Sequence, residues 1–170
     1  NVTVADTDQA GLTVSSPGAV TEIGSFDNFT IVLNTGPTSA VVVDISSSDT
    51  GEVTVSPASL SFSTGNWSIA QTVIVTGIND NVSDGDQNSN IIVGVDNSTS
   101  DPNYAALSDI NVGVTTLDDD DAGFSLGSTA GLSVSESGTT DTFTVVLDTE
   151  PTADVVFEIT SENTAEATVS

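Results

Sequence analysis

The sequence predicts an all-β fold of tandem β-sandwiches, and three observations carry that expectation. Ser, Thr, Val, Asp, Gly and Asn dominate the 170 residues, while the Ala-Leu-Glu-Lys composition of helices is missing. Short runs alternate apolar and polar residues with the period of a half-buried strand, and Gly, Pro, Asn and Asp turn signals separate them. The pattern also repeats. Val2-Thr3-Val4-Ala5-Asp6-Thr7-Asp8-Gln9-Ala10-Gly11 returns as Val114-Thr115-Thr116-Leu117-Asp118-Asp119-Asp120-Asp121-Ala122-Gly123, at a constant offset of 112. Repetition at a fixed spacing marks a tandem array.

Taken in order, residues 1–9 read as the last strand of a preceding repeat (Val2, Val4) and its acidic linker (Asp6, Asp8). Residues 10–121 read as one complete sandwich. Its first strand is Ala10–Val14, followed after Ser15-Ser16-Pro17-Gly18 by Val20–Gly24. Phe26, Phe29, Ile31 and Leu33 lead into the turn Asn34-Thr35-Gly36-Pro37. Ala40–Ile45 is a dense β-branched strand, Val53–Val55 is short and ended by Pro57, and Leu60 alternates with Phe62. Gln71–Ile78 runs into the polar loop Asn79–Gln87; Ile91–Val95 follows, and Ile110–Thr116 precedes the acidic run. That makes about seven or eight strands in about 110 residues, a sandwich-like spacing.

From residue 122 the pattern begins again and stops half-way. Phe29-Thr30-Ile31-Val32-Leu33 returns as Phe143-Thr144-Val145-Val146-Leu147, and Val53-Thr54-Val55-Ser56 as Ala167-Thr168-Val169-Ser170, now at an offset of 114. Residues 122–170 are therefore the first half of a following repeat. Half a sandwich leaves an open edge and an uncovered apolar face. Order there is expected to need later strands or a neighbouring chain.

Charge narrows the function. The chain has 25 acidic residues, no Lys, Arg or His, and a net charge of −25. A basic surface for nucleic acid or anionic lipid cannot be built from it. No apolar run approaches the length of a membrane span. Without Cys there is no disulfide or zinc–thiolate site. Without His, Lys, Cys or Arg, catalysis has little to work with, and the reading is no enzyme. The run Asp118–Asp121 repels itself, so it is either a solvated linker or a segment neutralised by a cation. Hard divalent ions, which prefer oxygen ligands, are the natural partners of such a surface. The loop after Asp80 is not an EF-hand, because Val82 and Ile91 occupy positions that need oxygen ligands. Trp67, the single Trp, reads as a core or capping residue, and Asn28, Asn66, Asn81 and Asn97 begin glycosylation sequons.

The order Val20-Thr21-Glu22-x-Gly24 (again as Val134-Ser135-Glu136-x-Gly138), then Val75-Thr76-Gly77-Ile78-Asn79-Asp80 with Asp84-Gly85-Asp86-Gln87, then Leu117-Asp118-Asp119-Asp120, resembles Calx-beta domains. The resemblance covers residues 10–121 and the first half of the next unit. It implies immunoglobulin-like sandwiches of about seven strands and a Ca2+ site at one end. The positions carried over as ligands are Glu22, Asp80, Asp84, Asp86, Asp118, Asp119 and Asp120, with Glu136 as the counterpart of Glu22 in the second repeat. Two departures stand out: the family often has Asp-Asp where this chain has Asn79-Asp80, and Glu where it has Gln87.

The expected function is a structural repeat segment of a secreted or cell-surface fibre or adhesin stalk. Calcium at each junction would stiffen it, and its partners would be neighbouring repeats or subunits. The alternatives are a module that binds glycan or another protein, and a self-assembling filament subunit completed by strands from a neighbouring chain.

Overall fold

The computed structural model describes residues 7–169. Val2, Val4 and Asp6, expected in a preceding strand and linker, lie outside the described residues, as does Ser170. No helix occurs among the described residues. They cluster into two compact units: the chain up to Asp80 with Gly85–Asp119, and Asn81–Asp84 with the chain from Asp120 onward.

The first unit is an immunoglobulin-like β-sandwich. Its strands are β1 (Leu12–Val14), β2 (Val20–Thr21), β3 (Phe26–Leu33), β4 (Val41–Ser47), β5 (Val53–Ser56), β6 (Ser59–Phe62), β7 (Gln71–Gly77), β8 (Gln87–Val95) and β9 (Ile110–Leu117). One sheet has the order β1-β3-β7-β5 and the other β2-β9-β8-β4-β6. All pairings are antiparallel except that of β2 with β9, which is parallel. The N-terminal strand is thus split. β1 belongs to one sheet and β2 crosses to the other.

Alternation sets which side chains fill the space between the sheets, because successive residues of a strand point to opposite faces. Phe29, Ile31 and Leu33 of β3 meet Val73 and Val75 of β7 on the inner face, while Ile74 stays 44 % exposed on the outer one. Val41, Val43 and Ile45 of β4 face Ile91 and Val93 of β8 in the same core. Each such side chain contributes roughly 1.5–3 kcal/mol relative to an exposed one. Trp67 is half-buried against this core, over Gly36.

Most strands lie within one or two residues of the expected bounds, and β8 and β2 depart further. β8 begins at Gln87, four residues before Ile91, because β9 offers partners along its whole length: Asn88 pairs with Thr115 and Ser89 with Val114. Polar residues in this stretch conceal the strand from a hydrophobicity reading. β2 ends at Thr21, because Gly24 turns the chain at φ +86° and its amide donates to Thr21 O at 3.2 Å.

The long connection from β8 to β9 is pinned to the turn before β4 by a buried carboxylate. Asp101 Oδ2 accepts from the Thr38 hydroxyl at 2.6 Å and the Thr38 and Ser39 amides, and Oδ1 accepts from the Asn103 amide at 2.9 Å. These donors, the Thr38 hydroxyl foremost, hold its pKa down to about 2. Tyr104, also buried, donates its hydroxyl to Thr35 O at 2.6 Å.

The second unit contains β10 (Phe124–Gly127) and β11 (Thr144–Leu147), paired antiparallel. This pair repeats the β1–β3 pairing of the first unit. Leu12↔Leu33 and Val14↔Ile31 become Phe124↔Leu147 and Leu126↔Val145. The bond from the Asn34 amide to Gly11 O recurs from the Asp148 amide to Gly123 O, both at 2.9 Å. Gly138 repeats the left-handed turn of Gly24, again with φ +86°. Residues 155–159 copy the alternation of β4 but form no strand. In the first unit β4 is hydrogen-bonded on both sides, by β6 and β8, and the described part of the second unit holds no counterpart of either. A strand exists only through its pairing.

Candidate metal centre

The register between β2 and β9 builds the site. Val20 lies beside Thr116 and Thr21 beside Leu117. The next amide, that of Glu22, donates to Leu117 O at 3.1 Å, which carries the parallel pairing one residue further. Glu22 is therefore seated next to Asp118, where β9 gives way to the acidic run. Gly77 of β7 permits this approach, since a Cβ there would collide with the Thr21 carbonyl oxygen. Glu22 is only 1 % exposed.

The polar hairpin loop between β7 and β8 is tied to the same point. The Gly85 amide donates to Asp118 Oδ2 at 2.7 Å, and the Asp118 amide donates to Asp86 Oδ1 at 3.2 Å. Asp120 completes the cluster. One carboxylate oxygen from each of Glu22, Asp118 and Asp120 lies within 4.8 Å of the others. Asp119 falls outside this group and is exposed, as alternation along an extended segment requires of the residue between two inward neighbours.

Of the eight residues expected to bind metal, the structure thus gathers Glu22, Asp118 and Asp120. Asp86 is joined to the group through the Asp118 amide, with its side chain exposed. Asp80 (half-buried) and Asp84 (exposed) are not members of the three-carboxylate group, and Glu136 is exposed in the second unit. Glu52 was not singled out from the sequence, yet it belongs to this end of the sandwich. Its carbonyl accepts from the Ile78 amide at 2.9 Å and from the Thr116 hydroxyl at 3.4 Å. The available signal was its recurrence as Glu166 in the repeated stretch.

Chemically, the cluster is a set of hard oxygen donors. The chain supplies no Lys, Arg or His, so no side-chain cation can neutralise it. Burying a carboxylate without compensation costs several kcal/mol, and placing two more beside it adds repulsion. Ca2+ binds oxygen at about 2.3–2.6 Å, so two ligands on opposite sides of one ion are about 4.6–5.2 Å apart. A mutual spacing within 4.8 Å fits one such ion. The donor set lacks the nitrogen and sulfur ligands that favour zinc or copper.

No protein-family model matches the chain, and no curated protein sequence does either. Solved structures of similar fold include the Escherichia coli chaperone DraB (7% identity, TM-score 0.46, covering 64% of this chain and 55% of that one). Another is the Salmonella enterica SafA pilin in complex with the SafB chaperone, at 12% identity and TM-score 0.43, covering 68% and 57%. SSP-19, an MSP-domain-like protein of Caenorhabditis elegans, follows at 15% identity and TM-score 0.38, covering 59% and 92%. The chain spans little more than half the length of the two bacterial structures. At such identities and TM-scores no property of those proteins transfers to it. No helix among the described residues is long and apolar enough to cross a membrane.

Proposed function

We propose that this chain is a non-catalytic structural segment of an extracellular or cell-surface protein, built from Calx-beta-like repeats and stiffened by Ca2+ at the end of each sandwich. The observation that carries the reading is the β2–β9 register, which seats buried Glu22 beside Asp118 with Asp120 in reach. A cation held by these three carboxylates removes their repulsion. It also fastens the first residues of the acidic linker to the sandwich they leave, so the linker loses conformational freedom. Neighbouring repeats are the natural partners of such a segment.

Calcium titration of the full chain tests this, with thermal unfolding and small-angle scattering read on the same samples. Extracellular modules bind with Kd of about 10⁻⁴–10⁻³ M, so about 5 mM Ca2+ should stabilise the first unit by roughly 1–2.3 kcal/mol. That corresponds to a rise of about 4–12 °C in its Tm. Glu22→Gln should abolish the rise while stabilising the calcium-free form, because it deletes one of three clustered charges. No response at about 5 mM Ca2+, or an undiminished response in Glu22→Gln, defeats the proposal.

A further inference from the structure

We propose that the outer face of the β1-β3-β7-β5 sheet is a lateral contact surface for a second copy of this chain. Alternation fixes what stands on that face, because Phe29, Ile31, Val73 and Val75 point inward. Phe26, Asn28 and Thr30 of β3 therefore share it with Thr72, Ile74 and Thr76 of β7. Phe26 is 72 % exposed and Ile74 44 %. Phe26 pairs with Thr76, so Ile74 is its diagonal neighbour, within reach of an aromatic ring. The two side chains form one apolar patch on the sandwich.

Charge selects the occupant. The chain has 25 acidic residues and no basic side chain, so two copies repel wherever their carboxylates meet. No Asp or Glu stands at an outward position of β1, β3, β5 or β7. The opposite sheet, by contrast, carries Asp44 on the outer face of β4, between β6 and β8. Around Phe26 and Ile74 the neutral face presents hydroxyls such as Thr30, Thr54 and Thr72. A hydroxyl both donates and accepts, so it can match its own copy, whereas a carboxylate only accepts. A two-fold axis normal to the face would set Phe26 of each copy against Ile74 of the other, an isologous contact. Strands of these lengths cover about 300 Å² per copy, against about 800 Å² per partner in a stable interface. The contact is thus weak for one unit and adds up where several units lie side by side. It needs no bound cation.

Sedimentation of the full 170-residue chain in chelator tests this, since no divalent ion can then bridge carboxylates. Reversible self-association is expected on the order of 0.1–1 mM in about 0.5 M NaCl, and about tenfold weaker in about 0.05 M, because salt screens the repulsion. Amide shifts that change with concentration should centre on Phe26, Asn28, Thr72 and Ile74. The double variant Phe26→Ser, Ile74→Ser should associate at least about tenfold more weakly, with Trp67 fluorescence in urea confirming that its first unit is folded. A chain still monomeric at about 1 mM in high salt overturns the proposal. So does association undiminished in the double variant, or shift changes away from β3 and β7, either of which places the contact elsewhere on the chain.

Discussion

Replacing Gly77 with Ala probes how the candidate site depends on one close backbone approach. An added Cβ would collide with the Thr21 carbonyl oxygen, meet the Thr21 carbonyl carbon at 3.0 Å and touch Val20 Cγ2 at 3.3 Å. Backbone cannot yield as a flexible side chain does, so β2 must shift. Overpacking of this kind costs about 1–3 kcal/mol. Lifting β2 further would expose Val20, now fully buried, at roughly 1.5–3 kcal/mol. The two costs overlap, since lifting relieves the clash, and a net loss of about 2–4 kcal/mol follows. Gly113→Ala in β9 is the control, because a Cβ there meets nothing within 4 Å. That change should stay within about 1 kcal/mol of wild type, on the stabilising side. Urea unfolding followed by Trp67 fluorescence reports the first unit alone. At a slope near 2 kcal/mol per molar, the Gly77→Ala midpoint should fall by about 1–2 M urea. Any calcium response should weaken with it, because Glu22 follows β2. A Gly77→Ala chain that unfolds together with Gly113→Ala would refute the argument.

Two further outcomes rest on the same geometry. Phe29→Ala should lower the stability of the first unit by about 3–5 kcal/mol, while Ile74→Ala, whose side chain is on the outer face of β7, should change it by no more than about 0.5 kcal/mol; both are read from Trp67 fluorescence in urea. Asp101 has its folded pKa held at about 2, below the ordinary 3.8, so its contribution is complete above the ordinary value and is lost as pH falls from about 4 towards 2. Thermal midpoints across that window should fall further in wild type than in Asp101→Asn, in which the titration is absent.

Much of this fold was legible because each strand wrote its inner face as alternate apolar residues. Phe29, Ile31 and Leu33, or Val73 and Val75, need no structure to be placed in a core. The start of β8 was hidden for the opposite reason: Gln87, Asn88 and Asn90 are polar, and only their pairing with β9 makes them a strand. Glu22, Asp118 and Asp120 were nameable as acids in a repeated order. Alternation alone turns Asp119 away from its two neighbours, but that Glu22 meets them follows from a parallel register that no local pattern encodes. Residues 155–159 show the limit most directly. They carry the β4 pattern, yet they stay outside any sheet, and the described part of the second unit holds no counterpart of β6 or β8 to pair with them. Pattern fixes which face a strand would bury; pairing decides whether the strand forms.

The parallel contact of β2 with β9 also determines how the first unit bears load. Parallel neighbours run the same way, so the chain enters β2 at one end of the pair and leaves β9 at the other. Tension applied through the two ends of the unit therefore slides the strands lengthwise past one another and strains their hydrogen bonds together. An antiparallel terminal pair pulled from one end would instead open bond by bond. Glu22 and Asp118 stand at the exit of this clamp, where the pulled chain leaves the sandwich. An ion gripped there would sit in line with the force, acting as a rivet on the last link before the linker.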